Sequence, residues 1–165
     1  MPGLLLHIGH SFGWGAWHLE PTVVACALVV IGLYVYRLPS VGRVEWFRPL
    51  AFGLGALAMF LALVSPLDAG ADRLLSLHML QHVVLTSIGP PLVLLGLPAG
   101  MLEPLLRLRQ LRWLFARLTM PFVTAALFIV NMWLWHTPPV YEAALTNIEL
   151  HVAMHIAFMA TGLLF

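Results

Sequence analysis

The sequence predicts an all-α fold, a polytopic transmembrane helix bundle with about five spans. Three observations carry this. Hydrophobic residues fill 61% and charged residues only 9% of the 165 positions, with a mean hydropathy of +0.94, whereas a soluble domain is nearer half apolar and a quarter charged. The apolar residues fall in runs of near membrane length, separated by proline, glycine and arginine. The basic residues are all arginine, and seven of the eight sit in two connections. A net charge of +1 gives no reason to expect a nucleic-acid partner, so lipid is the expected surrounding. The single cysteine, Cys26, lies in an apolar run and reads as a small packed hydrophobe. No intramolecular disulfide or C-x-x-C motif can be formed from it.

Taken in order, residues 1–19 lack the basic start and long apolar core of a signal peptide. Trp14 and Trp17 beside His18 suit the water–lipid boundary, and His7 and His10 read as solvated. The chain is read as one integral membrane domain over 1–165, with spans at about 21–36, 49–64, 73–97, 119–136 and 150–165. The first span starts on Pro21, a favoured first-turn position, and ends at Arg37 and Pro39. The second runs from Pro49 to Val64, with Gly53 and Gly55 placed to allow close helix approach. Ser65-Pro66-Leu67-Asp68 breaks it, and Asp68 and Asp72 read as turn and capping residues.

The third span carries His78 and His82, and Pro90-Pro91 should kink or interrupt it. Residues 99–118, with Arg107, Arg109, Arg112 and Arg117 among leucines, read as an amphipathic surface segment. The fourth span contains Asn131 and ends at Thr137-Pro138-Pro139. A connection bearing Glu142 and Glu149 leads to the fifth. Counted from Leu150 to Phe165, that run has 16 residues, ~24 Å of helix and short of a full crossing. The natural protein is therefore expected to continue with at least one more span.

Arg37, Arg43 and Arg48 follow span one and four more arginines follow span three, against Arg73 alone on the opposite side. By the positive-inside rule the N-terminus is extracytoplasmic, as are the 65–73 and 137–150 connections. On that topology all eight histidines fall on the outer side or in the outer half. His78 and His82 are four apart, about 40° and ~6 Å from one another on a helix, so both rings look the same way. His151 and His155 repeat that spacing, and His136 ends span four at the same level.

Ionisable groups within a span are costly and ordinarily face a bundle interior or a polar cavity. His78, His82, His136, His151 and His155 are accordingly the candidate metal ligands. Met79, Met132 and Met154, at helical spacing from them, are auxiliary candidates, although each also suits the role of core filler. Imidazole suits copper, zinc and haem iron, and thioether favours copper(I), so copper is the expected metal, with haem or zinc as alternatives. Gln81, Asn131 and Glu142 are candidates to hold ring N–H groups. No enzyme is expected: Met79 and Val152 stand where a metalloprotease H-E-x-x-H motif needs its glutamate.

Four stretches in order carry a family resemblance: Ser65-Pro66-Leu67-Asp68, then His78-Met79-Leu80-Gln81-His82 with Pro90-Pro91-Leu92, then Trp135-His136-Thr137-Pro138-Pro139-Val140-Tyr141 with Ala143-Ala144-Leu145, and last His151, His155, Phe158 and Gly162-Leu163-Leu164-Phe165. The sequence resembles the caa3-type cytochrome c oxidase assembly factors, the CtaG family of Gram-positive bacteria, from about residue 17 to the end. An unrelated single-span copper chaperone shares that name and is not what this chain resembles. The family continues beyond Phe165 with a tryptophan and further helices, seven in all, which are missing here.

The resemblance implies an accessory protein of the bacterial plasma membrane, with cytochrome c oxidase subunits as partners. Joined to the histidines, it leads to the expectation of a chaperone that binds copper at its outer face and hands it to the oxidase. A copper permease, a haem-binding membrane protein and a scaffold without metal are the alternatives. The lack of a polar or sulfur ligand continuing inward from His82 in span three favours hand-over against permeation.

Overall fold

A computed structural model describes residues 15, 17–71 and 73–165; Trp14, His7, His10 and Asp72 lie outside the described residues. Among the described residues the fold is all helix, with no strand. Three helices are long and apolar enough to cross a membrane, and five segments are if each of two bent pairs counts as one span.

Helix α1 (Pro21–Arg37) begins on proline and buries only Tyr34. It is a lipid-facing helix held by one end. The Tyr34 hydroxyl donates to the Gly96 carbonyl at 3.0 Å, and its ring stacks on Phe52 at 3.7 Å. A short 3₁₀ turn, Leu38–Val41, leads to the connection before α2 (Phe47–Val64). There Arg48 donates to Glu45 at 2.6 Å and to the Leu95 and Leu97 carbonyls at 3.3 and 3.1 Å. Those carbonyls end the third span, where a cation is favoured by the helix dipole. The same arginine holds the Glu45 carboxyl below its usual range, chiefly through their hydrogen bond.

The third span is built from α4 (Leu75–Val83), a π-helical turn (Val84–Ile88) and α5 (Gly89–Gly96). Of the kink or interruption expected at Pro90-Pro91, the interruption is absent; the crossing is continuous over Leu75–Gly96. The physical reason is the π turn, in which the Gly89 N–H reaches back five residues to the Val84 carbonyl. The prolines then fall in the first turn of α5, where no N–H is needed. The Thr86 carbonyl is left with proline nitrogens both four and five residues on, and it lies against Gly162.

Helix α5 packs closely on α2. A Cβ on Gly55 would stand 2.7 Å from the Val93 nitrogen and 2.8 Å from the Gly89 oxygen. Gly53, by contrast, meets nothing within 4 Å, so only one of the two expected glycines serves close approach.

The breaks between spans are helical too. Ser65 caps α3 (Pro66–Ala71) by accepting from the Leu67 N–H at 3.2 Å. Asp68 lies in the first turn of α3 and accepts from Gln81 at 2.7 Å. Helices α6 (Glu103–Leu106) and α7 (Arg109–Leu118) form the arginine-rich segment, and α7 meets α8 (Pro121–His136) at a 72° bend. Helix α9 (Pro138–Thr146) occupies the expected 137–150 connection and folds back by 118° into α10 (Ile148–Leu164). Asn147 caps α10, its side-chain oxygen accepting from Glu149 and Leu150 N–H groups at 2.9 and 3.3 Å. Within the bilayer, α8 is tied to α10 by Asn131, which donates to the Thr161 hydroxyl at 3.2 Å and accepts from the Trp135 indole at 3.0 Å.

Candidate functional site

Three crossings end or begin at the same level: α4, the C-terminal end of α8 and the N-terminal half of α10. Each brings histidine there. His78 and His82 are 2% and 1% exposed and His155 is 7% exposed. In a helix whose outer side meets lipid, such burial puts them on the bundle-facing side.

His82 is the hub. Its ring centroid stands 4.3 Å from that of His78 on its own helix, 5.7 Å from His136 of α8 and 6.2 Å from His155 of α10. His155 in turn stands 4.6 Å from His151. All five expected residues are thus linked by ring neighbours, with Tyr141 of α9 edge-on to His78 at 5.7 Å and Phe158 against His82 at 4.3 Å. Still, no three or more His, Cys, Asp or Glu side chains among the described residues are grouped so as to hold an ion as they stand.

The hydrogen bonds explain why. The Nε2 atoms of His78 and His82 are 2.8 Å apart and bonded to each other. His136 Nδ1 is bonded to the Met132 carbonyl at 2.7 Å. Four shielded polar atoms have no hydrogen-bond partner among the described residues: His82 Nδ1, His136 Nε2, His155 Nε2 and Gln81 Oε1.

The three residues expected to hold ring N–H groups do other things. Gln81 donates through Nε2 to the Ala62 carbonyl at 2.8 Å and to Asp68 Oδ1 at 2.7 Å. Both neighbours are acceptors, which settles the amide orientation and leaves Oε1 on the far side. Asn131 serves the helix contact described above, and Glu142 is exposed. The holder of a ring is a backbone carbonyl, that of Met132.

Of the methionines, Met79 is 37% exposed, while Met154 is buried with Trp135, Ala144 and Phe158, and Met132 packs against that group. His18 is exposed, its backbone N–H donating to the Val64 carbonyl at 3.0 Å. Phe158 and Tyr141 were not singled out from sequence as neighbours of the rings. The i+3 spacing from His155 to Phe158 is the signal that places Phe158 on the histidine face.

Residues 27–165 match a family model described as cytochrome c oxidase caa3 assembly factor. The chain belongs to the caa3 assembly factor family. No match was found among curated proteins or among solved structures. Membership makes the assembly factor an accessory protein, which implies a non-catalytic role and an interaction with cytochrome c oxidase. The match covers all the helices that bear the five histidines.

Proposed function

We propose that this assembly factor binds copper at the histidine-bearing end of its bundle and passes it, as cargo, to the oxidase. The observation that supports this reading is the trio of unpartnered nitrogens, His82 Nδ1, His136 Nε2 and His155 Nε2, contributed by three different helices. A buried polar atom without a partner costs on the order of 1–3 kcal/mol, and in lipid no water repays it. A soft cation shared between them would satisfy all three.

The spacing fits such an ion. Nitrogen ligands at about 2 Å place two ring centroids on one metal roughly 6 Å apart, against 5.7 and 6.2 Å from His82 to its two cross-helix neighbours. Loading then needs rings to turn, with the helices unmoved. His78 and His151, one turn from His82 and His155, extend the set toward the end of the bundle and provide a route in and out. Inward of His82 along the third span the next polar side chains are Thr86 and Ser87, weak copper ligands, and Thr86 already donates to the His82 carbonyl at 2.7 Å. Hand-over at one face therefore fits better than passage across. The arginine count supports an outward position for that face, on the side of the N-terminus.

Metal analysis of the full-length protein, purified and offered copper(I), tests the reading. Bound copper that is lost in His82→Ala, from a protein still inserted in the membrane, is the expected result. In cells the same variant should yield oxidase that is made but inactive, and added copper should partly restore it. Wild-type protein that retains no copper would overturn the reading and leave a metal-free scaffold in its place.

A further inference from the structure

At 100° per residue, α7 divides into two arcs. Leu111, Leu114, Phe115 and Leu118 share one, and Leu111 and Leu118 are half-buried. Arg109, Gln110, Arg112 and Arg117 share the other. The near-perpendicular bend of 72° into α8 lays α7 close to the bilayer plane, with its apolar arc toward the membrane.

Such a helix needs nothing more to sit at an interface. Yet Trp113 falls in the middle of the arginine arc, about 40° from Arg109 on one side and from Arg117 on the other. It is 60% exposed, with the Arg117 guanidinium 5.5 Å from its ring centre. Arg109 and Gln110 line a shallow cleft with Trp113 and Leu114. The neighbouring Arg107 is paired with Glu103 at 3.0 Å, whereas Arg109, Arg112 and Arg117 have no acidic partner among the described residues.

A tryptophan that anchors a helix in lipid belongs on the apolar arc or its flank. This one stands on the far side, among three uncompensated cations. Tryptophan and arginine together are the residues that concentrate binding energy at protein interfaces.

We infer that the Arg109–Arg112–Trp113–Arg117 face docks an acidic segment of an oxidase subunit, one that carries an apolar side chain to cover the Trp113 ring. The inference rests on family membership for the identity of the partner. It is independent of copper, since the face lies at the opposite end of α8 from His136.

Photo-crosslinking in cells tests it, with a benzophenone amino acid at position 113 of the full-length protein. An adduct with an oxidase subunit, at a peptide rich in Asp or Glu, is expected. Adducts with phospholipid alone, or none, would overturn the inference. In parallel, oxidase co-purifying with the Trp113→Ala and Arg112→Glu proteins should fall about tenfold or more, with copper per chain and membrane insertion unchanged. Undiminished oxidase in both variants would overturn it as well. Loss of copper from wild type with crosslinking intact would count against the copper reading alone.

Discussion

The Nε2 atoms of His78 and His82 share one proton across 2.8 Å. One ring must donate and the other accept, so the two imidazoles hold opposite tautomers. If His82 donates, its Nδ1 carries a bare lone pair, and that atom is one of those without a partner. In that tautomer the pair presents a ready ligand at the hub, with the shared proton directed toward His78.

That asymmetry predicts unequal mutants. His82→Ala removes the ring that neighbours three others and should abolish copper retention. His78→Ala removes the hydrogen-bond partner of the His82 ring and should weaken retention by about 10–100-fold, the usual cost of losing such a support. Copper per chain in protein purified from the membrane fraction measures both. Equal losses would argue against His82 as the hub.

The glycines give a paired test of packing. Gly55→Val should destabilise the bundle by about 1–3 kcal/mol, because its Cβ would meet Val93 and Gly89 backbone atoms at 2.7 and 2.8 Å that cannot step aside. Gly53→Ala should not destabilise, since its Cβ meets nothing and alanine is the better helix former. Thermal unfolding in detergent of the two variants compares them directly.

Those same positions mark what the sequence could convey. The all-helical class and the presence of membrane-length segments were readable because long apolar runs follow one-dimensional rules. Which glycine touches a neighbour depends on how α2 is rotated toward α5, and Gly53 and Gly55 look alike until that rotation is known. Pro90-Pro91 announced a break, but the π turn ahead of it depends on a single N–H reaching one residue further, which no residue pattern states. The supports of the rings were the least legible. Gln81 and Asn131 are intramembrane polar groups as expected, yet both are consumed by tertiary bonds, to Asp68 and Thr161, that only the packing of helices far apart in sequence creates.

Orientation has a direct measurement. Reporter fusions at Gly42 and Gln110 should give cytoplasmic signals, and fusions at Ala69 and Asn147 external ones, as the arginine distribution requires. A cytoplasmic signal at Asn147 would place the histidine end on the wrong side for delivery to an outward copper site.

Tyr34→Phe should loosen α1 alone. The hydroxyl bond to Gly96 is one of few ties that this helix has to the bundle, and an interhelical hydrogen bond in a membrane is worth about 0.6 kcal/mol on average. The ring stack on Phe52 survives the change. Faster proteolysis in the connection after Arg37, with copper retention unaltered, is the expected result.

Gln81 is the last case, and it separates support from ligation. Its two N–H bonds, to the Ala62 carbonyl and to Asp68, tie α4 to the end of α2 and to α3. Gln81→Leu keeps the volume but strips both, leaving a buried carbonyl and a carboxylate oxygen short of a donor, at a cost on the order of 1–3 kcal/mol. Gln81→Met makes the same loss while adding a thioether beside the histidines. If Gln81 acts only by holding α4, both variants should lose stability alike, and both should lose copper only in proportion to the protein that unfolds. If its unpartnered Oε1 belongs to the metal site, Gln81→Leu should lose copper from protein that is still folded, and Gln81→Met should recover part of it, since thioether sulfur is a copper(I) ligand. Thermal unfolding alongside copper content per folded chain distinguishes the two outcomes, and equal copper in the two folded variants and wild type would remove Gln81 from the site.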